Sequence, residues 1–185
     1  MSSITCFLDL IPTPLFSELS YLFYQIFLDL INLSLFTSKF PSAFKSSFIV
    51  PTIKNISLDP SSFSSYKPVF NLSFFSKILE KVAYEQLKSY LTKFSLLPPT
   101  QSGFRTGHST ETTLLKLYND LIVSSDSTFL LYLDFSPAFD TVDRSILLNV
   151  LNKSFNVTNS CLSWFQSYLS NRTFHVSILS LPLFL

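Results

Sequence analysis

The sequence predicts an α+β protein in which helices outnumber strands. Hydrophobic side chains make up 47% of the 185 residues and charged side chains 14%, a composition that excludes a disordered tail. Apolar positions recur at helical spacing in several segments, and short β-branched and aromatic runs lie between them. No repeat or long linker divides the chain, so we expect one continuous unit.

The first third of the chain predicts one helix, one strand and one loop. Residues 15–37 are apolar at mixed spacing between flanking prolines and indicate a single helix. Residues 47–53 are typical of a strand, which Pro51 would confine to a sheet edge or a bulge. Residues 55–65 are rich in serine and are predicted to form a loop.

Two amphipathic helices follow. Residues 72–94 carry apolar side chains at steps of three and four with lysines between them, which predicts a helix with a basic outer face. A second helix begins at Ser109, whose hydroxyl can cap the first turn, while Glu111 lies near the positive helix end. Its predicted buried stripe comprises Leu114, Leu115, Tyr118, Leu121 and Ile122.

The last third predicts a strand, two helices and a final strand. Residues 128–135 are almost uninterruptedly hydrophobic and too short for a helix, so we expect a strand buried on both faces. Helices are expected near 143–153 and 159–170. Residues 173–178 alternate as a strand does, with Phe174, Val176 and Ile178 on one face.

Charge is unevenly distributed although the net charge is only +1. Residues 1–38 carry −3, residues 39–93 carry eight lysines against three carboxylates, and residues 94–185 sum to −1. A basic segment followed by an acidic one suits a protein that meets phosphates first and metal ions second. A solvated lysine face on a helix explains the same pattern.

The two cysteines and the apolar runs exclude other classes of protein. Cys6 and Cys161 lie far apart without metal-ligand spacing, so we expect two reduced core cysteines and no disulfide. The most hydrophobic early run, 21–31, contains Gln25 and Asp29 and is too short to span a membrane. We therefore expect an intracellular protein without a signal peptide or membrane partner.

Asp134 is the sharpest candidate functional residue. It is the one charge at the carboxyl end of the predicted buried strand. Burying a carboxylate without a partner costs roughly several kcal/mol, so Asp134 is expected to lie at an exposed end, to pair, or to hold a cation.

Five segments of the chain carry a resemblance to one known family. They are KSSFIVPTIK at 45–54, YKPVFNLSFFSKILEKV at 66–82, QSGFRTGHSTETTLLKLYNDL at 101–121, LYLDFSPAFDTVD at 131–143 and LSWFQSYLSNRTFHVSI at 162–178. In this order and spacing they resemble the reverse transcriptases of LINE-type (non-LTR) retrotransposons, and the segment at 131–143 resembles motif A of that family. The resemblance implies part of a right-hand polymerase: a helical lead-in at 1–40, a fingers-like region at 41–125 and a truncated palm at 126–185.

The resemblance also implies roles for individual residues. Asp134 would be the catalytic metal ligand, with the carbonyl of Phe135 beside it, in a site for Mg²⁺. Phe139 would exclude a ribonucleotide 2′-hydroxyl. Lys54 and Lys67 would reach the incoming triphosphate, and Arg105 would contact nucleic acid or nucleotide phosphates. The implied partners are an RNA template and a DNA primer.

Simpler interpretations stand beside these roles. Asp140 and Asp143 can cap the helix that begins near Arg144. Phe139 can be a core residue, Lys54 a solvated one, and the aromatic residues Trp164, Phe165 and Tyr168 can be packing residues instead of a base-stacking platform.

The 185 residues contain no Tyr-x-Asp-Asp sequence, so we expect the chain to be inactive by itself. Lys67 also stands where the family usually has Arg, whose planar fork suits bidentate phosphate contact. Two alternatives remain: a non-catalytic nucleic-acid-binding remnant, and a decayed element product without a stable fold.

Overall fold

The computed structural model describes residues 6, 8–9, 12–124, 127–134 and 141–176, apart from the side chain of Ser17. This part of the chain forms a mixed structure of helices and one small sheet. The helices are α1 Thr13–Glu18, α2 Ser20–Thr37, α3 Phe74–Lys93, α4 Thr110–Val123, α5 Arg144–Lys153 and α6 Asn159–Leu169. The strands are β1 Ser46–Ile53, β2 Tyr66–Leu72 and β3 Thr173–Val176.

The chain divides into two compact units instead of the single unit expected. The first consists of Met1–Gln86 and Arg144–Leu185, and the second of Leu87–Asp143. The first unit is therefore discontinuous in sequence and contains the whole described sheet.

The sheet has the strand order β2-β1-β3. β1 pairs antiparallel with β2 from Ser47 to Ile53, and it pairs in parallel with β3 from Ser46 to Ile49. The strand predicted at 47–53 is confirmed, but it is central and not an edge strand. Pro51 is tolerated because it lies beyond the β3 ladder and faces Pro68 of β2, so no ladder on the β3 side needs its missing N–H.

The core of the first unit is helical and aromatic. Its buried residues are Ile31, Phe40, Leu79, Ala83 and Trp164, contributed by α2, the turn after it, α3 and α6. Trp164 stacks on Tyr168 with 5.5 Å between ring centroids and 4° between planes, and Phe165 packs at the edge of the same cluster. The packing interpretation of these three aromatic residues is confirmed.

The amino-terminal segment differs from the single helix predicted at 15–37. Helicity begins earlier, at Thr13, because Pro12 lies at the N-cap and Pro14 lies within the first turn, where proline is tolerated. It is interrupted at Leu19, whose ψ of 10° departs from the helical value, and then resumes at Ser20. Phe16 of α1 is buried against Phe27 of α2 at 5.0 Å, so the break lets the first turn pack back onto the next helix.

Ser109 caps α4 as predicted. Its hydroxyl accepts a hydrogen bond from the Thr112 amide at 3.3 Å, and the Thr112 hydroxyl accepts one from the Ser109 amide at 2.8 Å. The expected buried stripe of α4 is wrong, because Leu115 is 66% exposed and the other four members are exposed too. A hydrophobic stripe predicts which face can be buried, whereas burial itself requires a neighbouring element.

Replacing Ser109 by alanine should destabilise α4 by about 1 kcal/mol, since the Thr112 amide in its first turn loses the Ser109 hydroxyl as its hydrogen-bond acceptor. The Ser109 hydroxyl also lowers the pKa of Glu111, so this contribution exists above the unfolded pKa and disappears as the pH falls through the folded pKa. Amide hydrogen exchange over 113–116 should accelerate in S109A but not in S109N, which keeps a capping oxygen. Equal protection in S109A and the unmodified chain would contradict the capping role.

The buried strand predicted at 128–135 is wrong for residues 128–134, which form no strand and are exposed. Phe129 is 97% exposed and Leu131 is 78% exposed. The physical reason is that a strand needs a paired neighbour for its amides and carbonyls, and no described strand lies beside this segment. Phe135 lies outside the described residues.

Several smaller predictions are also resolved. The helices at 143–153 and 159–170 and the strand at 173–176 are confirmed, while positions 177 and 178 lie outside the described residues. Cys6 is buried as expected, but Cys161, in α6, is exposed and is therefore not the core residue that was predicted. Among the described helices, none is long and apolar enough to cross a membrane.

Candidate nucleic-acid interface

The β1–β2 hairpin brings Lys54 and Lys67 to the same end of the sheet. Lys67 lies opposite Thr52, and Ile53 lies opposite Tyr66. The next position continues this register, because the Lys54 amide donates to the Ser65 carbonyl at 2.8 Å. Side chains alternate along strands, so the diagonal neighbours Lys54 and Lys67 share one sheet face.

Both lysines are exposed, and their surroundings favour an anion. The Lys54 ammonium donates to the Ser64 carbonyl at 3.0 Å, which fixes its position and leaves two of its three donors for other partners. Two positive charges at diagonal positions attract a group with several negative oxygens more than a single carboxylate.

The hairpin loop contains one carboxylate, Asp59, which its own loop engages. Asp59 accepts hydrogen bonds from the Ser61 amide at 2.9 Å and from the Ser61 hydroxyl at 2.7 Å. These bonds, the hydroxyl first and the amide second, lower the pKa of Asp59. The Tyr66 hydroxyl donates to the Pro60 carbonyl at 2.9 Å and holds the loop close to the hairpin. The loop therefore has its own internal order next to the two lysines.

Arg105 lies in the second unit and organises a loop. Its Nη1 donates to the carbonyls of Pro98 at 3.1 Å, of Pro99 at 3.4 Å and of Gln101 at 3.4 Å. These contacts form the turn that follows α3. The three carbonyls share the two hydrogens of Nη1, and the predicted contact of Arg105 with phosphates stays a prediction.

Asp134 also lies in the second unit, and its carboxylate is exposed. Phe135, Phe139 and Asp140 of the same motif lie outside the described residues. In the part of the chain that the structure describes, no group of three or more His, Cys, Asp or Glu side chains could hold a metal ion. One carboxylate does not offset two divalent cations, so the described residues do not fit a magnesium site.

The two histidines and Asp143 have contacts or positions that are explained by the local structure. His108 contacts the Thr106 carbonyl at 3.2 Å within its turn, and His175 projects from β3 with its ring 5.6 Å from that of Phe48. Asp143 directly precedes α5, the position expected for a cap.

Sequence reasoning missed two features of this region. The strand β2 was not predicted, although the run around Val69 and Phe70 is typical of a strand and Pro68 is compatible with the edge position that β2 has in the described sheet. Phe104 was part of a recognised block but received no role. A large aromatic residue between Gly103 and Arg105 in a polar loop was the available signal.

A model of the family described as "Reverse transcriptase (RNA-dependent DNA polymerase)" matches residues 53–181. That range is more than half of the chain and includes Lys54, Lys67, Arg105 and Asp134. The chain belongs to the reverse transcriptase family.

Relatives among well-described proteins are polymerases of mobile elements in Drosophila melanogaster. The chain is 31% identical to "RNA-directed DNA polymerase from mobile element jockey" over 142 residues, 75% of this chain and 15% of that protein. It is 31% identical to "Probable RNA-directed DNA polymerase from transposon BS" over 117 residues, 62% of this chain and 13% of that protein. The resemblance to reverse transcriptases of LINE-type elements is confirmed, and the match spans about one seventh of these relatives.

Proposed function

We propose that this chain forms the nucleotide-contacting and nucleic-acid-contacting part of an RNA-directed DNA polymerase with a right-hand fold. Residues 41–125 would be fingers-like, preceded by a helical lead-in at 1–40, and residues 126–185 would begin the palm. The observation that carries the proposal is the placement of Lys54 and Lys67 on one face at the end of the hairpin. The family match supports it independently.

In this proposal the two lysines bind the triphosphate of the incoming nucleotide. Lys54 is the better-positioned of the two, because its bond to the Ser64 carbonyl restrains a side chain that would otherwise lose rotamer freedom on binding. Lys67 is exposed on β2 and supplies a point charge, not the two-pronged contact of an arginine.

The roles implied for the motif A residues belong to the same proposal. Asp134 would contribute a carboxylate beside the carbonyl of Phe135, and Phe139 would select against a ribonucleotide. The described residues do not fit a magnesium site, so no catalytic step is assigned to Asp134. RNA template and DNA primer are the proposed partners, and the +5 charge of residues 39–93 favours such polyanions.

Triphosphate binding tests the two lysines. We expect Lys54→Ala and Lys67→Ala each to weaken the binding of dTTP about tenfold, since each removes a charge-assisted contact. Lys67→Arg should bind dTTP as tightly as the unmodified chain or a few-fold tighter, because the guanidinium fork can hold two phosphate oxygens. Titration calorimetry at fixed salt concentration measures all three.

The control is Lys153→Ala, which removes the same charge from the last turn of α5. It should leave dTTP binding unchanged. If K54A and K67A bind dTTP as the unmodified chain does, or lose no more than K153A loses, the hairpin is not a phosphate site.

A further inference from the structure

The loop between α3 and α4 is held in shape by its own side chains. The Gln101 amide donates to the Pro98 carbonyl at 3.0 Å, and the His108 amide donates to the Arg105 carbonyl at 3.3 Å. Together with the three carbonyls bound by Arg105, these bonds close a turn on each side of residues 103–104. Such a loop presents whatever lies at its tip in one orientation.

Phe104 lies at that tip in a strained backbone conformation. Its φ of 59° falls in the left-handed region, which is unfavourable for a bulky L-residue. Its side chain is 88% exposed, so burial within this chain does not offset the strain. Backbone strain that no packing contact offsets indicates that the exposed ring has a role in binding another molecule.

The chemistry around Phe104 indicates the kind of partner. No Asp or Glu occurs from Phe94 to Thr110, whereas this stretch contains Arg105 and His108. Between Gln101 and Ser109, Phe104 is the one large apolar side chain, so the loop offers a single flat ring among donors and not a hydrophobic patch. An exposed ring beside Arg105, in a stretch without carboxylates, suits a strand that carries negative phosphates and flat, unpaired bases.

We propose that Phe104 stacks on an unpaired base of a single-stranded nucleic acid, and that the loop closed by Arg105 fixes the ring for this contact. The inference rests on the proposed function, which supplies the nucleic-acid partner. It adds a site in the second unit that reads the flat face of a base, whereas the hairpin lysines contact phosphates. Stacking of this kind tolerates any base, so the contact gives affinity without sequence preference.

A comparison of an intact and an abasic RNA separates stacking from phosphate contact. Fluorescence anisotropy measures the binding of the full chain to a labelled single-stranded 12-mer and to the same 12-mer without bases in its central half. We expect Phe104→Ala to weaken binding to the intact RNA about tenfold and to leave binding to the abasic RNA unchanged. Phe104→Tyr, which keeps a ring, should bind both RNAs as the unmodified chain does.

Two further variants guard against indirect effects. Phe36→Ala removes a ring of nearly equal exposure, 87%, from the acidic segment 1–38, and it should change neither affinity. Phe104→Gly removes the ring, so it should bind the intact RNA as weakly as F104A does. It also relieves the left-handed strain, so its free energy of unfolding should be at least as large as that of F104A. A binding loss in F104G therefore cannot come from misfolding.

The outcomes distinguish the two proposals. Equal affinity of F104A and the unmodified chain for intact RNA overturns the stacking contact alone. An equal loss on both RNAs also overturns it, because the ring then acts without bases. If the unmodified chain binds neither RNA, nucleic-acid contact itself fails, and both proposals fail with it.

Discussion

Replacing Trp164 by alanine is expected to lower the free energy of unfolding of the first unit by about 3–5 kcal/mol. Trp164 is 4% exposed and lies in the main core cluster. Its ring stacks on Tyr168 and meets Phe40 and Phe165 edge-on at 5.6 and 5.4 Å, so truncation removes three aromatic contacts and leaves a cavity. Urea denaturation followed by far-ultraviolet circular dichroism measures the loss.

The indole nitrogen has a separate part in this effect. Trp164 Nε1 donates to the Ser34 hydroxyl at 3.0 Å, and that hydroxyl donates to the Lys39 carbonyl at 2.7 Å. Trp164→Phe keeps a ring but loses the hydrogen-bond donor. We therefore expect the free energy of unfolding to fall by about 1–3 kcal/mol, part of it because the phenylalanine ring is smaller. Cys161→Ala is the control on the same helix, and its exposed side chain should contribute less than about 0.5 kcal/mol. A loss in W164A no larger than in C161A would exclude Trp164 as the centre of the core.

The second large effect is expected at Arg172. Its Nη2 lies 3.2 Å from Glu80 Oε1, with the two side chains 21% and 23% exposed. Its guanidinium carbon lies 4.5 Å from the ring centroid of Tyr168 and 5.6 Å from that of Phe40. Arg172→Ala removes both kinds of contact and leaves a mostly buried carboxylate, which should cost about 2–3 kcal/mol after allowance for the residual exposure.

A double-mutant cycle isolates the pair. We expect the loss in R172A combined with Glu80→Gln to be smaller than the sum of the single losses, because neutralising Glu80 removes the unpaired charge. Lys81→Ala is the matched control, since its ion pair with Glu85 is 66% and 53% exposed and should contribute less than about 0.5 kcal/mol. Additive losses at Arg172 and Glu80 would show that the pair does not act as a unit.

Arg172 also shows how a recognised block can hold a structural residue. It belongs to the segment 162–178, which resembles the stretch after motif A. Its guanidinium is occupied by Glu80 and by the Tyr168 carbonyl at 3.3 Å. Burial raises the pKa of Tyr168, the Glu80 carboxylate raises it further, and Arg172 opposes both effects. These contacts give Arg172 a role in packing.

The helices were predictable where the sequence itself carries both the period and the boundaries. α3 lies within the predicted 72–94, because its apolar spacing is regular and its end precedes prolines. The prediction of a strand at 128–135 was wrong because the sequence there does not carry all the information that decides the structure. Its hydrophobicity shows compatibility with burial, but burial depends on a paired strand elsewhere in the chain, and local composition does not report that pairing.

The candidate site was partly predictable. Lys54 and Lys67 were identified by resemblance, but their placement on one face required β2, which sequence reasoning did not recognise. The bonds from Arg105 to three loop carbonyls were not predictable, because residue type does not reveal which backbone groups lack a partner. The left-handed conformation of Phe104 was equally hidden, since that region favours Gly, Asn and Asp.

The discontinuous first unit has a consequence for how the chain is made. Trp164 and Ser34, which hydrogen-bond in the core, are separated by 130 residues in sequence. At a translation rate of roughly 5–20 residues per second, Trp164 is synthesised on the order of ten seconds after Ser34. During that time Phe40 and Leu79 emerge from the ribosome without the ring that later covers them. The nascent chain is therefore most prone to aggregate before α6 has been translated, and it is then that a chaperone would protect it.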